Sequence, residues 1–444
     1  MIKGDAMDGV AEFCTRALER HGCASASVAV VERGAVVFAE AYGMADREAG
    51  RRATAETVYR LASITKPLTA TAICSAADEG LLDLDAPLPG DYGRPGGAPT
   101  IRQTLQHRGG FGGHYDWHYG EGASSIPTRW YAERLYREPG SGFEYANLGY
   151  DALGSLLGDV DAQIRARVAE PLGLASLEVG AEYRGSGPTA ARYTVDGRAY
   201  PVCRSGHPAA GDAWATATDV ALFAQHSATL LRPETATAVY DAVPIDPAQG
   251  YGLGWSVSTG PGPVLHSHSG GMGGVATMVV RVPERELSLA VLTNSTDKSA
   301  RNAILHHLLE RLAPGFDPAG LCAIPATDRP MTLPEGSWTG RIETREGDLP
   351  LRIALLAGQQ VSVRLDGVGE ATAAGRASAD WGVRTLVPLQ LPTADARIDS
   401  PLLLLELGGS EGRLTGAARA MKSGEGDGWL GNYLSHPCTL VRSD

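Results

Sequence analysis

The sequence predicts an α+β fold in which one antiparallel sheet is flanked by helices and carries an all-helical insertion, followed by a small all-β barrel. Three observations support this fold class. Strand-like runs occur near both ends of residues 1–312, and helical patterns fill most of the region between them, about residues 80–230. Prolines recur over residues 313–335 with few periodic apolar positions, which is typical of a linker. Beyond it, residues 336–444 alternate short strand-like runs with Gly and Asp turns, as a small barrel does.

The N-terminal part begins with an amphipathic helix and a hairpin. Apolar residues recur at helical spacing over residues 5–21. Runs rich in β-branched residues at 27–31 and 35–41 predict the two strands of the hairpin. After Ser63, an Ala-rich segment that is apolar nearly all round predicts a central, buried helix running to about Ala77.

Two loops and a series of shorter elements follow. Residues 86–99 are dense in Pro and Gly and predict a loop. Residues 107–119 combine aromatic side chains with glycines, and this loop is either a lid that faces a substrate or an irregular loop that packs locally. We predict helices at 101–106, 128–137, 148–157, 162–169, 217–227 and 300–312, and strands at 251–257, 275–282 and 287–292. In the tail we predict strands at 338–345, 349–356, 360–365, 383–389, 402–407 and 438–441.

The composition excludes several classes of protein. Hydrophobic residues make up 43% of the chain and charged residues 20%, which is enough apolar material for a sizeable soluble core. The net charge is −12, from 39 basic and 51 acidic residues, and no Lys/Arg-rich run occurs. This charge argues against a nucleic acid or an anionic membrane as a partner.

The N-terminal residues and the cysteines indicate the cellular compartment in which the protein is expected. No apolar run follows Lys3, and no stretch of about 18 apolar residues occurs, so neither a signal peptide nor a membrane span is predicted. The six cysteines are scattered and form no Cys-x-x-Cys, which predicts buried thiols in a reducing compartment. We therefore expect a cytoplasmic protein.

Ser63 and Lys66 are the first candidates for chemistry. On a helix, positions i and i+3 lie on one face, so the hydroxyl and the amine can point into the same space. A serine becomes a nucleophile when a neighbouring base takes its proton. A lone Ser-x-x-Lys is common, and without partners Ser63 would be only a helix N-cap, so the interpretation depends on residues elsewhere.

Two further segments provide such partners. Tyr145 and Asn147 lie two residues apart, so in an extended segment a phenol and an amide point to the same side. His268, Ser269 and Gly270 enter a predicted strand rich in small residues, whose edge can pair with an extended substrate. The N–H of the following residue, Gly271, can then join that of Ser63 as an oxyanion hole.

With these residues in place, the chain resembles the serine β-lactamase and penicillin-binding-protein superfamily, in its class C-like branch of esterases and D-peptidases. The branch has three motifs, Ser-x-x-Lys, Tyr-x-Asn and a Lys/His-Thr/Ser-Gly strand. The chain matches them in that order with Ser63/Lys66, Tyr145/Asn147 and His268-Ser269-Gly270. The framework segments 139–140, 170–174 and 251–255 also match. The resemblance covers about residues 5–312, and the tail resembles the lipocalin-like barrel of some D-aminopeptidase-type members.

Two positions depart from the pattern of this branch. His107-Arg108-Gly109-Gly110-Phe111 stands where members usually carry a His-Thr-Ser-Gly-Leu type stretch, so the adjoining loop is altered. His268 stands where enzymes that act on β-lactams have a lysine. A neutral imidazole attracts a substrate carboxylate less than an ammonium does, which makes β-lactams a less favoured substrate.

The resemblance implies a serine acyl-enzyme catalyst. Ser63 would attack a carbonyl, Lys66 and Tyr145 would share the acid–base work, and the N–H groups of Ser63 and Gly271 would hold the oxyanion. The acyl donor would be positioned by Asn147, His268, Ser269 and Gly270. The acyl or peptidyl group would come from an ester, thioester or amide, and an amine, an alcohol or water would accept it. The favoured interpretation is a transferase or peptide cyclase that acts on a peptide-like or natural-product substrate.

Several alternatives remain open at this point. A simple hydrolase, either a carboxylesterase or a D-amino-acid amidase or peptidase, is the main one. A β-lactamase is less favoured because of His268. A non-catalytic acyl-binding sensor is less favoured because it should have lost Ser63, Lys66 or Tyr145, and all three are present. We expect a small-molecule or peptide-like substrate and no cofactor. We also expect no metal, since the spacing of His107, His114 and His118 matches no zinc motif. The sequence does not predict an oligomeric state.

Overall fold

The computed structural model describes residues 7–92, 97–120, 129–321, 328–378, 380–394, 396, 400–410 and 412–444. The α-helices in this part of the chain are α1 (Val10–Arg20), α2 (Thr65–Asp78), α3 (Ile101–Leu105), α4 (Arg129–Ala132), α5 (Asn147–Leu157), α6 (Val160–Ile164), α7 (Glu170–Leu172), α8 (Pro208–Gly211), α9 (Ala217–His226), α10 (Pro233–Ala238) and α11 (Ser299–Leu312). A 3-10 turn at Ala62–Ile64 precedes α2, and a π-helical turn at Arg165–Ala169 follows α6.

The strands up to residue 293 are β1 (Ser25–Glu32), β2 (Ala35–Asp46), β3 (Arg51–Arg52), β4 (Tyr59–Arg60), β5 (Trp117–Tyr119), β6 (Glu178–Val179), β7 (Cys203–Ser205), β8 (Ala213–Ala215), β9 (Val243–Pro244), β10 (Gln249–Tyr251), β11 (Ser256–Ser258), β12 (His266–Met272), β13 (Val275–Val282) and β14 (Leu287–Thr293). The C-terminal strands are β15 (Gly336–Thr344), β16 (Gly347–Leu356), β17 (Gln360–Leu365), β18 (Gly369–Arg376), β19 (Val383–Val387), β20 (Leu402–Ser410), β21 (Arg413–Met421) and β22 (Tyr433–Arg442).

The chain divides into two compact units. The first unit comprises residues 1–86, 119–123 and 150–323, and the second comprises residues 87–118, 124–149 and 324–444. The two units are therefore not separated by a single boundary in the sequence, since residues 87–118 and 124–149 group with the C-terminal residues 324–444.

The first unit is built on one large antiparallel sheet. Within the described residues its strand order is β3-β2-β1-β14-β13-β12-β11-β10-β9. The N-terminal strand β1 pairs with β14 from the far end of the unit, with Ala26 opposite Thr293 and Glu32 opposite Leu287. The prediction that distant segments complete one sheet is thus confirmed.

Helices cover both faces of this sheet. On one face, α1 and α11 pack on the sheet, and Val28 of β1, Leu289 of β14 and Ile304 of α11 are buried in one apolar cluster. On the other face lies α9, because Ser288, which points away from that cluster, donates a hydrogen bond to the carbonyl oxygen of Ala221. Strands that are covered on both faces bury nearly every side chain. For this reason buried and exposed residues do not alternate along β1 and β14.

The second unit contains a closed antiparallel barrel. Its strands follow one another from β15 to β22 among the described residues, and β15 pairs with β22 to close the ring. Inward-facing apolar side chains such as Trp338, Leu351 and Leu405 fill the interior. The predicted fold class, an α+β sheet domain followed by a small barrel, is confirmed.

Several elements differ from the sequence-based expectation. The strand predicted at 251–257 is two short strands, β10 and β11, joined by a turn in which Gly254 has a φ of 85°. The helix predicted at 128–137 is limited to α4, and residue 128 lies outside the described residues. Strands β18 and β21 had not been predicted, because their Ala- and Gly-rich sequences have low β-propensity. None of the helices in the described ranges has the length and apolar character needed to cross a bilayer.

Candidate active site

Ser63 lies in a constrained turn directly before the central helix α2. The preceding residue, Ala62, has a φ of 49°, a left-handed conformation that is costly for a residue with a side chain. Thr65 stabilises the turn, since its hydroxyl donates to the carbonyl oxygen of Ala62 at 2.7 Å and accepts from the N–H of Ala213 at 2.9 Å. The turn therefore holds a partly exposed serine in a fixed position.

Lys66 is buried in the first turn of α2, on the same face as Ser63. Its Nζ lies 3.2 Å from Ser63 Oγ and donates a 2.9 Å hydrogen bond to the carbonyl oxygen of Ala210. The ring of Tyr150 lies 5.6 Å from the same nitrogen. The structure thus brings the predicted nucleophile and its predicted base within hydrogen-bond distance of each other.

The short helix α8 provides the backbone acceptors that orient this part of α2. The carbonyl oxygens of Ala209 and Ala210 accept from Thr69 and Lys66 respectively. Directly before α8, Nδ1 of His207 lies 2.5 Å from a carboxylate oxygen of Asp151 on α5. The pKa of Asp151 is raised by its burial, an effect that His207 opposes.

The ion pair of Arg60 and Asp212 fixes the other side of α8. Arg60 comes from β4, directly upstream of the nucleophile turn, and both side chains are buried. Arg60 also donates to the carbonyl oxygen of Cys203 at 2.9 Å. No local pattern in the sequence indicates this pair, because its two residues are 152 positions apart.

The predicted third motif lies on β12, which contacts the nucleophile turn. A Cβ atom at Gly270 would lie 2.0 Å from Thr277 Oγ1 and 2.2 Å from the carbonyl oxygen of Leu61. Thr277 itself donates to that carbonyl oxygen at 2.8 Å. Glycine at 270 is therefore required for the close approach of the strand to the turn that carries the nucleophile. Gly271, the predicted oxyanion-hole residue, follows it and is partly exposed.

His268 is buried, and both of its ring nitrogens have partners inside the protein. Nδ1 lies 2.9 Å from the carbonyl oxygen of Ser269, which can only accept, so Nδ1 carries the hydrogen. Nε2 then accepts from the hydroxyl of Tyr251 at 3.0 Å. Burial, and secondarily the nearby charge of Lys66, lowers the pKa of His268 to about 3. The imidazole is neutral at physiological pH, and its contact with substrate stays a prediction.

Two basic residues near the third motif were not identified from the sequence. Arg301 on α11 is buried and donates to Ser269 Oγ at 2.8 Å and to the carbonyl oxygen of Thr277 at 2.9 Å. Lys298, directly before α11, places its Nζ 3.3 Å from the position that a Cβ atom at Gly271 would occupy. Their i and i+3 spacing was visible in the sequence, but no local pattern connects them with β12.

The second motif belongs to the second unit. The N–H of Ala146 donates to Nδ1 of His107 at 3.1 Å, and the ring of His107 lies 4.3 Å from that of Tyr145. The side-chain amide of Asn147 donates to the carbonyl oxygen of His114 at 2.8 Å. The loop that begins at His107 therefore packs locally and supports the second motif. The roles of Tyr145 and Asn147 toward Ser63 stay predictions.

Comparison with known proteins supports the assignment to a family. The Beta-lactamase family model matches residues 10–312. Esterase EstB of Burkholderia gladioli is 36% identical over 182 residues, which cover 33% of this chain and 45% of the esterase. Protein flp of Staphylococcus aureus strain N315 is 25% identical over 174 residues, covering 36% of this chain and 35% of flp. The chain thus spans less than half the length of these curated relatives.

Three solved structures share the fold. SurE has a TM-score of 0.65 and 21% identity, and the match covers 99% of this chain and 100% of SurE. The D-amino acid amidase from Ochrobactrum anthropi SV3 has a TM-score of 0.58 and 22% identity over 69% of this chain and 98% of the amidase. EstCE1, described as a hydrolase with promiscuous acyltransferase activity, has a TM-score of 0.57 and 19% identity over 69% of this chain and 98% of EstCE1. With the family model matching well over half of the sequence, the chain belongs to the β-lactamase family, and the resemblance inferred from its three motifs is confirmed.

Proposed function

We propose that the chain is a serine acyl-enzyme catalyst that takes an acyl or peptidyl group from an ester, thioester or amide and passes it to an amine, an alcohol or water. The observation that carries the proposal is the 3.2 Å distance between Ser63 Oγ and the buried Lys66 Nζ. A base within about 2.6–3.2 Å of a hydroxyl is the arrangement that activates a serine nucleophile.

In the first step, Ser63 Oγ attacks the carbonyl carbon of the donor while its proton passes to Lys66 Nζ. Because Lys66 uses one hydrogen to bond the carbonyl oxygen of Ala210, a neutral amine can direct its lone pair at Ser63 Oγ. The charge that develops on the carbonyl oxygen is assigned to the N–H groups of Ser63 and Gly271. The tetrahedral intermediate then expels an alcohol, thiol or amine, which receives its proton from Lys66 or Tyr145.

In the second step, the acceptor attacks the ester formed on Ser63. Lys66 and Tyr145 take the proton of the acceptor and return one to Ser63 Oγ, so that the enzyme is regenerated. An amine gives an amide, an alcohol gives an ester, and water gives the free acid. Hydrolysis and transfer therefore differ only in which acceptor occupies the site.

Relatives support acyl chemistry of both kinds. EstB is an esterase, and the enzyme from Ochrobactrum anthropi is a D-amino acid amidase. EstCE1 combines hydrolysis with acyl transfer. We favour transfer on a peptide-like or natural-product substrate, and the alternative is a simple carboxylesterase or D-amino-acid amidase. β-Lactam hydrolysis is less favoured, because the neutral His268 stands where a lysine would attract the carboxylate.

The basic residues near β12 support an acyl donor with an anionic group. Lys298 lies beside Gly271, and Arg301 donates to the hydroxyl of Ser269. Since that hydroxyl accepts from the arginine, its own hydrogen is directed elsewhere and is suited to bond a carboxylate. The ammonium of Lys298 beside Gly271 adds attraction for negative charge.

The nucleophile is tested by covalent labelling. A fluorophosphonate probe followed by intact-mass analysis should add one label to the wild-type protein and none to Ser63→Ala. Ser75→Ala on the same helix is the matched control and should label fully. Lys66→Met should slow acylation by an activated ester by roughly 10²–10⁴-fold. Equal labelling of Ser63→Ala and wild type would show that the nucleophile is assigned wrongly.

The acceptor is tested by product analysis. A peptide thioester and a peptide ester are incubated with the protein, with and without an added amine, and the products are identified by mass. Transfer predicts an amide whose share of the product rises with amine concentration. Free acid as the product under every condition would rule out the transferase and leave the hydrolase.

A further inference from the structure

We propose that Arg419 of the C-terminal barrel is a positioning residue for Tyr145, so that the barrel is part of the catalytic apparatus. This inference rests on the proposed function, in which Tyr145 carries a proton. All of the contacts that support it lie within the second unit.

Arg419 occupies an unusual position on its strand. Leu414, Ala418 and Ala420 of β21 belong to the apolar core of the barrel, so Arg419 points to the outer face. An arginine on the outside of a barrel would ordinarily be exposed, yet Arg419 is only 1% exposed. Segments 107–118 and 129–149 of the same unit supply residues that cover it.

The guanidinium of Arg419 connects the barrel with the residues around Tyr145. Nη1 donates to the carbonyl oxygen of Gly113 at 3.1 Å and to Ser435 Oγ at 2.7 Å. Nη2 forms an ion pair with Glu144, the residue directly before Tyr145. Glu144 in turn accepts from the N–H of Gly113 at 3.1 Å.

Gly113 lies between the guanidinium and the backbone of Tyr145. A Cβ atom at Gly113 would lie 3.3 Å from Arg419 Nη1 and 3.3 Å from the carbonyl oxygen of Tyr145. The cation is therefore in the layer next to the backbone of Tyr145. It acts on the segment that carries the tyrosine.

The charges around Arg419 explain why its contact with Glu144 is strong. Its Nε donates to Glu406 on β20 at 2.7 Å, so one cation is shared by two carboxylates, Glu144 and Glu406. The side chains of these two residues are 10% and 8% exposed. Arg384 and Arg137 continue the alternation of charge, at 2.8 Å from Glu406 and 3.7 Å from Glu144.

Loss of Arg419 would leave the two carboxylates nearly buried without the cation they share. Removal of one partner from such a network is costly, because the remaining charge keeps its desolvation penalty. Glu144 would relax toward solvent, and the adjoining Tyr145 would move with it. His107 supports the backbone on both sides of the tyrosine, since its carbonyl oxygen accepts from the N–H of Glu144 at 2.8 Å and its Nδ1 accepts from the N–H of Ala146 at 3.1 Å. Arg419 adds to this backbone support the contact that fixes the side chain of Glu144.

The test compares Arg419→Met with Arg413→Met, which removes an exposed arginine from the same face of the same strand. The readout is the rate of Ser63 acylation by an activated ester, measured as a pH profile in the full chain, with and without Tyr145→Phe. We expect Arg419→Met to slow acylation by about 10–10²-fold, the range for a misplaced catalytic group. Its pH profile should approach that of Tyr145→Phe, and the double variant should be no slower than Tyr145→Phe alone. Arg413→Met should match the wild type.

Further variants keep the inference falsifiable if Arg419→Met does not fold. Glu144→Gln retains the shape of the side chain and the pair of Arg419 with Glu406, and we expect it to fold and to show the same change of pH profile. Arg419→Lys should restore part of the rate, since an ammonium can pair with only one carboxylate well. A wild-type pH profile in Arg419→Met or in Glu144→Gln would overturn the positioning role. A double variant whose loss of rate equals the product of the losses in Arg419→Met and Tyr145→Phe would overturn it as well. If Tyr145→Phe retains full activity while Ser63→Ala is inactive, the proton-carrying role of Tyr145 fails, and the positioning role fails with it.

Discussion

Gly270→Ala tests whether the approach of β12 to the nucleophile turn is as tight as the structure requires. The new Cβ atom would lie 2.0 Å from Thr277 Oγ1 and 2.2 Å from the carbonyl oxygen of Leu61. Carbon atoms reach favourable contact at about 3.5 Å, so both separations are short by more than about 1 Å. One of the two atoms belongs to the backbone directly before the nucleophile turn, and it cannot rotate away.

The size of the expected effect follows from this geometry. Overpacking a closely packed site costs about 1–3 kcal/mol, and a clash with backbone favours the upper part of that range. We therefore expect the melting temperature to fall by about 4–5 °C. A strand displaced by about 1 Å also moves Gly271 relative to Ser63, which is expected to slow acylation by about 10²-fold.

The measurement combines thermal unfolding with the acylation rate of an activated ester. Gly271→Ala is the matched control, because its Cβ atom would meet only the end of the exposed Lys298 side chain, at 3.1 Å from Cε. This control should unfold within about 0.5 kcal/mol of the wild type, as for surface substitutions. Wild-type stability and rate in Gly270→Ala would refute the reasoning, and so would equal destabilisation by both alanines.

Three further predictions concern charge. Arg60→Met removes one partner of an ion pair whose side chains are 1% and 5% exposed, and we expect the free energy of unfolding in urea to fall by about 3–5 kcal/mol. Folding lowers the pKa of His268 from 6.5 to about 3, so the folded protein favours the neutral imidazole. The contribution of this histidine to the free energy of unfolding is therefore complete above pH 6.5 and is lost as the pH falls towards 3. We expect it to account for about 2 kcal/mol of lost stability between pH 7 and pH 5, a loss that His268→Gln should reduce. Lys298→Ala should raise KM by about tenfold for acyl donors that carry a carboxylate and leave neutral donors unchanged.

Each of these predictions has its own control. Arg52→Met, which changes an exposed arginine on the edge strand β3, should leave the free energy of unfolding unchanged, so a similar loss in both arginine variants would contradict the importance of the pair. An unfolding free energy with the same pH dependence in His268→Gln and wild type would contradict the assignment to this histidine. For Lys298, equal changes of KM with charged and neutral donors would show that the lysine does not bind the carboxylate of the donor.

The sequence was sufficient for most of the first unit, because its patterns are local. Helices α5, α9 and α11 begin and end within one residue of their predicted bounds. The Ser63–Lys66 pair was also predictable, since three residues of helix fix the distance between the two side chains. Strand β21 shows the limit of such patterns. Its sequence is mostly Ala, Gly and Thr, and only pairing with β20 and β22 makes it a strand.

What the sequence by itself determined is the family, the fold class and the residues of the three motifs, because residue type and short spacing encode which faces are buried and which groups can react. Only the tertiary structure decided what surrounds them. The carbonyl oxygen of Ala210 beside Lys66 is supplied from 144 positions away, and Glu144 is paired with Arg419 across 275 positions. Such contacts depend on how distant segments pack against each other, and no local periodicity records that packing. The approach of Gly270 to Leu61 has the same origin, and it is the feature that Gly270→Ala would test.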